Sequence, residues 1–242
     1  MAAQYKRDLA FIHDAGFADW ARNAAPFILE RLNRPYIRGE LVIDLGCGSG
    51  VLAKALVEGG HSVLGIDLSK EMIRIARESV RKARFKVGSL FAFNLPRCGA
   101  VVSTGECINY LFDSGANLGL NRVFRNVFAA LMPGGVFIFD IAEPGQLKGR
   151  PTRSFTEGDD WVVLVAKEED KGSSILTRRI VTFRKVGQVY RKSEEIHRQR
   201  LYRSTEVAAE LRNAGFRVRT LRSYGDFELP SAHAVFVARK PG

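Results

Sequence analysis

The sequence predicts an α/β fold built on an open, mostly parallel sheet, and three stretches predict it. Leu41-Val-Ile-Asp-Leu45 is a short apolar run that ends in Gly46-Cys-Gly-Ser-Gly50, a strand entering a turn almost free of side chains. Val51 to Glu58 then reads as a helix stopped by Gly59-Gly60. His61-Ser-Val-Leu-Gly-Ile-Asp67 is a second strand, so the chain runs strand, helix, strand, the unit from which parallel sheets are assembled.

The spacing of the turn narrows its ligand. Backbone N–H groups at the start of a helix, with no side chains in the way, suit an electron-rich ligand. A dinucleotide fingerprint G-x-G-x-x-G starting at Gly46 needs glycine at 51, where Val51 stands, and this argues against a dehydrogenase. A phosphate-binding P-loop would lack Asp44 and would end in Gly-Lys-Ser/Thr. Asp67 closes the second strand 21 positions after Gly46, where a carboxylate can accept two hydrogen bonds from a ribose diol. The ligand therefore has a ribose and no pyrophosphate.

Three blocks carry a resemblance to a known family: Val42-Ile-Asp-Leu-Gly-Cys-Gly-Ser-Gly50, Gly65-Ile-Asp-Leu-Ser69 with the helix Glu71-Met-Ile-Arg-Ile-Ala76, and Leu131-Met-Pro-Gly-Gly-Val-Phe-Ile-Phe-Asp140. In order and separation they resemble the class I S-adenosylmethionine-dependent methyltransferases, over most of residues 40–142. The resemblance implies a Rossmann-like seven-stranded methyltransferase sheet, mostly parallel with an antiparallel last strand. It implies S-adenosyl-L-methionine as cofactor and S-adenosyl-L-homocysteine as product. Carried over residue by residue, the cofactor would meet Asp44, Gly46, Cys47, Gly48, Gly50, Asp67, Leu68, Ser89, Leu90 and Glu106. Many relatives have Gly-Asp where this chain has Gly88-Ser89, which leaves the adenine to Ser89 or to backbone near Leu90.

A chain of 242 residues, 46% hydrophobic, can bury the core of one domain with an elaboration. No apolar run reaches the length of a membrane span and the first residues lack a signal-peptide core. Cys47, Cys98 and Cys107 form no closed disulfide set and no C-x-x-C, so free thiols in a cytoplasmic protein without structural zinc are expected. The net charge of +11 raises a nucleic-acid partner. Positions 178, 179, 184, 185, 191, 192, 198, 200 and 203 are Lys or Arg against acids at 194 and 195 only. With aromatics sparse there, a solvated strand face is favoured over an RNA track.

Residues 5–32 read as helices broken near Gly16 and restarted around Asp19, with Pro26 in a first turn of a helix through Leu32. Such a leading element has no place in the sheet, and the resemblance makes residues 1–38 a helical lid over the cofactor. Ser69 caps a helix running to about Lys82, and Arg84 to Leu90 is the third strand. Ala100 to Glu106 is the fourth, Asn117 to Leu131 an amphipathic helix ended by Pro133-Gly-Gly, and Val136 to Ile141 the fifth strand. Residues 39–145 thus form the cofactor-binding core. Strands over 161–167, 174–185 and 189–202 make an antiparallel insertion within 150–203. A helix from Ser204 to Asn213, capped by Ser204, and strands 217–223 and 232–239 close a single domain as a helix and β-hairpin over 204–242.

Ligands of open α/β sheets lie beyond the carboxyl ends of the strands. Glu106, Asn109 and Tyr110 follow the fourth strand there, and Tyr5, His13 and Trp20 of the lid are chemically rich for a mere cover. Alternation puts Glu195, His197, Gln199 and Leu201 on one face of their strand. Several small-molecule methyltransferases carry a Glu-x-His-x-x-Arg-x-Tyr strand over the acceptor, similar to Glu195, His197, Arg200 and Tyr202 here. Methyl transfer from a sulfonium is an in-line displacement in a dry pocket, and an N–H or O–H nucleophile needs its proton removed. His13, Glu106 and His197 are the candidate bases. The chain lacks the Asn/Asp-Pro-Pro-Tyr/Phe motif of nucleobase methylation and the paired acids of metal-dependent O-methyltransferases. The reading is a metal-independent N- or O-methyltransferase of a small molecule, against an RNA methyltransferase using the basic strip or a cofactor-binding module without catalysis.

Overall fold

The computed structural model describes residues 4–35, 37–112, 119–147 and 149–242. Two helices lead the chain, α1 (Arg7–Gly16) and α2 (Asp19–Leu32). The core follows as β1 (Leu41–Leu45), α3 (Val51–Glu58), β2 (Ser62–Asp67), α4 (Lys70–Ser79), β3 (Arg84–Val87), β4 (Cys98–Ser103), α5 (Leu120–Ala130) and β5 (Leu131–Ala142). Next come β6 (Thr152–Gly158), β7 (Trp161–Asp170), β8 (Ile175–Val186), β9 (Val189–Arg200) and α6 (Ser204–Asn213). The chain finishes with β10 (Arg217–Leu221), β11 (Ser223–Tyr224), β12 (Phe227–Glu228) and β13 (His233–Arg239).

Seven strands form one sheet in the order β10-β13-β5-β4-β1-β2-β3. β3, β2, β1, β4 and β5 run parallel, and β13 is antiparallel to both β5 and β10. The apolar continuity of β1, β4 and β5 follows from burial on both faces. One face packs Ile43, Leu45, Phe137 and Phe139 against α5 and α6 through Phe124 and Leu211. The other packs Val42, Val102 and Ile138 against α2, α3 and α4 through Ile28, Leu56 and Ile73. The strand order reverses between β1 and β4, which places a ligand cleft beyond their carboxyl ends.

The insertion is a four-stranded antiparallel sheet, β6-β7-β8-β9, one strand more than the sequence predicts. β6 (TRSFTEG) is an edge strand exposed along its length, so it carries no buried alternation to betray it. The inner face of this sheet closes on the lid, with Trp161, Val163 and Ile180 packed on Leu9 and Ile12. The short β11–β12 hairpin was not expected either.

Other elements differ in detail. Pro26 lies inside α2 as its eighth residue, not in a first turn; the amide it removes is the one that would have bonded to Arg22. α4 ends at Ser79, before Lys82, and β3 stops at Val87. Ser69 caps α4, its Oγ accepting the Met72 N–H at 3.2 Å. Ser204 does not cap α6; its own N–H donates to Glu143 Oε1 at 2.9 Å, so the cap is supplied from the end of β5. The expected start of α5 at Asn117 lies outside the described residues. β5 begins at Leu131 and runs through Pro133-Gly-Gly, with a bulge opposite between Cys98 and Ala100.

Candidate active site

A cavity of about 1080 Å³ opens beyond the carboxyl ends of β1, β2 and β4, walled by the 46–49 turn on one side and the lid on the other. The turn explains itself residue by residue. Gly46 has φ +74°, and a Cβ there would stand 2.5 Å from Cys107 Sγ, so glycine lets the strand-four loop close against the turn. Gly48 has φ +52° with open space where a Cβ would be. Gly50 caps α3 at φ +85° and packs toward Ala76, and it does not line the cavity.

Two carboxylates line this end. Asp67 Oδ2 accepts the Gly48 N–H at 2.9 Å and Oδ1 the Ser69 N–H at 2.8 Å, which fixes its plane and leaves lone pairs for a ligand. Burial raises the Asp67 pKa, and the backbone donors partly reverse this. Asp44 is 1% exposed, its Oδ2 has no partner, and burial with the nearby Asp67 charge pushes its pKa to about 7. An orphaned buried carboxylate facing a cavity fits a ligand that brings positive charge. Cys47, Ser49, Leu68, Ser89 and Leu90 complete this end. The Ser89 hydroxyl already accepts the Phe91 N–H at 3.1 Å, which leaves its proton to give.

The opposite end is aromatic: Tyr5, His13, Phe17, Trp20, Tyr110 and Phe112. The Tyr5 and Tyr110 hydroxyls lie 3.3 Å apart, and Arg178 Nη1 reaches Tyr110 Oη at 3.4 Å. Burial raises both phenol pKa values. Burial lowers the His13 pKa to about 4, partly opposed by Asp14 and reinforced by His197, so its imidazole is neutral. Trp20 donates its indole N–H to Asp140 Oδ2 at 3.1 Å.

Glu106, Asn109, Arg200 and Tyr202, singled out from sequence, do not line the cavity. Glu106 is buried behind it, accepting from Arg178 Nη2 at 2.8 Å and Gln199 Nε2 at 2.7 Å, with His233 Nε2 at 2.6 Å. Burial alone would raise its pKa, but Arg178 and His233 outweigh that and hold it well below the usual carboxylate range. It is a locked anion, not a base. The Asn109 side chain rivets β5 to the end of β9 through Ala142 and Arg200 backbone. Arg200 is exposed on the outer face of β9, because alternation opposes it to His197 and Gln199. Tyr202 packs into the core beside α5 and α6.

Glu195 and His197 lie on the inner face of β9 but do not line the cavity either; they serve the lid. Glu195 accepts the backbone N–H groups of Tyr5 at 2.7 Å and Lys6 at 2.8 Å, and pairs with His197 Nε2 at 2.9 Å. His197 is fully buried, ringed by Tyr5, Tyr110 and Phe112, with Nδ1 unpartnered. The basic strip also divides. Arg178 holds Glu106, Arg179 holds Glu194, and Arg184 and Arg191 converge on Asp8 of α1.

Sequence reasoning gave no role to Asp140, which accepts from Gly105 N at 3.0 Å, Glu106 N at 2.5 Å, Trp20 Nε1 and Tyr224 Oη at 2.8 Å. It ties strand-four loop, lid and C-terminal hairpin together, and its signal was its place near the carboxyl end of β5. Thr104, Cys107 and Phe112 line the cavity and were equally missed.

The sheet order, the glycine turn and the acid ending β2 are those of class I S-adenosylmethionine-dependent methyltransferases. Residues 42–135 match the family model described as a methyltransferase domain. The chain is 28% identical over 204 residues to YqeM of Bacillus subtilis, named as a methyltransferase, covering 80% of each. A crystal structure of an S-adenosylmethionine-dependent methyltransferase from Clostridium acetobutylicum superposes with a TM-score of 0.82 at 21% identity, over 97% of this chain and 98% of that one. The sugar N-methyltransferase KedS8 of Streptoalloteichus gives 0.75 at 22% identity, over 97% and 92%. The protein is an S-adenosylmethionine-dependent methyltransferase. Among the described residues, no helix is long and apolar enough to cross a membrane.

Proposed function

We propose that this methyltransferase acts on the amine nitrogen of a small molecule held between the glycine turn and the lid, without a metal. The observation that carries the reading is the chemistry of the acceptor end. Its wall is aromatic, its one imidazole is neutral His13, and the carboxylates that line the cavity lie at the far end.

S-Adenosylmethionine, bound along the 46–49 turn, supplies a methyl group on a positively charged sulfur. Asp67 would hold its ribose, Ser89 and Leu90 its adenine, and Asp44 would answer its positive charge. The lid residues exclude water and orient the acceptor. An amine desolvated against these rings is disfavoured as ammonium, so it enters as the nucleophilic free base. His13 then accepts a hydrogen bond from the amine N–H and aims the lone pair. A hydroxyl acceptor would need a stronger base than an imidazole with a pKa of about 4. Glu106 cannot serve, since Arg178, Gln199 and His233 occupy its oxygens. The same occupation supports metal independence, since among the described residues the end of β4 offers no free carboxylate.

The neighbour KedS8 is described as a sugar N-methyltransferase, which favours an amine without fixing the molecule. An RNA acceptor is disfavoured because the lid covers the cavity and four of the strip's arginines are committed to carboxylates. The test is transfer of labelled methyl to a panel of small amines and their hydroxyl counterparts, with bulk tRNA alongside. Label is expected in amines; label in tRNA alone, or in hydroxyls alone, overturns the reading.

A further inference from the structure

Four arginines of the 178–203 strip are committed to carboxylates, and a second concentration of positive charge stands at a far corner of the seven-stranded sheet. β10 ends that sheet, and Arg217 and Arg219 lie exposed on one face of it. Arg217 is registered directly opposite Arg239 of β13. Arg219 is opposite Val237, which packs in the cluster that holds Phe27 and Ile28, so Arg31 of α2 comes onto the same corner. The Arg31 guanidinium lies 3.2 Å above the Phe27 ring, and its Nη1 donates to the Phe27 carbonyl at 3.2 Å. Burial lowers the Arg31 pKa; Glu30 opposes the shift, and the charges of Arg219 and Arg239 add to it. Glu30, the acid paired with Arg31, has a side chain 77% exposed.

Like charges directly opposite on neighbouring strands destabilise a sheet. Charge on an edge strand guards against pairing with another sheet, but Arg31 and Arg239 are not on the edge. A bound anion relieves the repulsion. We propose that this corner docks double-helical RNA through its phosphate backbone. Guanidinium groups match phosphate oxygens two by two, and all four cations of the cluster are arginine. The exposed aromatics among the described residues, Phe17, Phe155 and Tyr190, all lie elsewhere, so unpaired bases find no ring here to stack on. The wide minor groove of an RNA duplex presents phosphates and 2′-hydroxyls instead. A 2′-hydroxyl both donates and accepts, which suits the unpaired N–H and C=O groups along the outer edge of β10.

Arg239 pairs with Val136 in the first half of β5, so the corner lies toward the amino ends of the parallel strands, away from the cavity at their carboxyl ends. RNA docked there is held without entering the cavity, which stays open to its own acceptor.

Fluorescence anisotropy of the full chain with a labelled RNA hairpin, near physiological salt, tests this. Arg217→Glu combined with Arg219→Glu is expected to weaken binding about tenfold or more, and to lower the slope of log affinity against log salt by about 2. Arg81→Glu combined with Lys82→Glu, the same charge change at exposed positions beyond α4, is expected to leave both nearly unchanged. Calorimetry with S-adenosylhomocysteine should give wild-type affinity for both double variants, showing that they fold. A wild-type chain that does not bind the hairpin overturns the proposal. Equal losses in the two double variants overturn it too, since net charge alone would then hold the RNA. Equal or tighter binding to a DNA hairpin, to phosphatidylglycerol vesicles or to polyglutamate overturns the choice of occupant.

Discussion

The amide N–H of Tyr5 donates to Glu195 Oε2 at 2.7 Å, joining the start of the lid to a strand 190 residues further on. The second Glu195 oxygen takes the Lys6 N–H, while the Tyr5 carbonyl accepts from Ser69 Oγ at 2.9 Å. One backbone unit therefore bridges the inserted sheet and the helix that begins at the cofactor end of the cavity. The Tyr5 ring projects from that bridge into the acceptor end.

Cofactor exchange should be governed by this bridge. Glu195→Ala removes the acceptor of two backbone N–H groups at once, a loss of about 2 kcal/mol, since bonds to a charged acceptor exceed neutral ones. S-Adenosylhomocysteine is expected to leave up to about thirtyfold faster in stopped-flow displacement. An unchanged off-rate would mean that the ligand escapes without moving α1.

Asp67 makes a separate prediction. Its oxygens are oriented by Gly48 and Ser69, so Asp67→Ala should weaken cofactor binding by roughly 1.5–3 kcal/mol. Calorimetry with S-adenosylhomocysteine reads this directly, and wild-type affinity would place the ribose elsewhere.

Asp44 should make binding depend on pH. With no ligand its pKa stands at about 7, so near pH 6 it is mostly protonated and near pH 8 mostly ionised. A cationic ligand favours the ionised form, so binding releases a proton and affinity rises with pH across this window. Each unit by which the ligand lowers this pKa is worth about tenfold in affinity. The demethylated product lacks the sulfonium charge and should show a flatter profile, and Asp44→Asn should flatten both.

Glu106 is a matter of stability. Removing its charge leaves Arg178 buried without its anion, which costs roughly 3–5 kcal/mol, so Glu106→Gln should lower the unfolding midpoint sharply. His233 works in the opposite sense to a lowered acid. Burial would lower its pKa, but Glu106 raises it above the usual value. Its contribution is complete below an unfolded pKa of about 6.5 and fades as pH rises through the folded value. Denaturation curves should show this alkaline loss in the wild type and not in Glu106→Gln.

What the sequence made legible was local. The 46–50 turn, the acid ending β2 and the Ser69 cap each depend on residues within a few positions of one another, and each forms as its residues dictate. What it hid was non-local or unpatterned. Glu106 looked like a base because nothing nearby announces Arg178, Gln199 or His233, which arrive from 72 to 127 positions away. β6 escaped because an exposed edge strand has no apolar period. The face of β9 was readable from alternation, which placed Glu195 and His197 inward, but the same alternation excludes Arg200, which the family pattern had put in the roof.

The last prediction concerns His13, the imidazole that lines the acceptor end. It stands edge-on to Tyr5 with ring centroids 5.2 Å apart and stacks near Phe17 at 6.1 Å, so its orientation is set by packing. If it positions an amine, His13→Ala should retain cofactor affinity while kcat falls about tenfold to a hundredfold, the scale of lost orientation. His13→Gln should recover part of that loss, because its carbonyl oxygen can still accept from an N–H. The pH profile separates this role from proton abstraction by a group titrating near neutrality. With a pKa of about 4, His13 is an acceptor throughout the neutral range, so it adds no inflection there to kcat measured at saturating cofactor and acts on the rate only as acid protonates the ring.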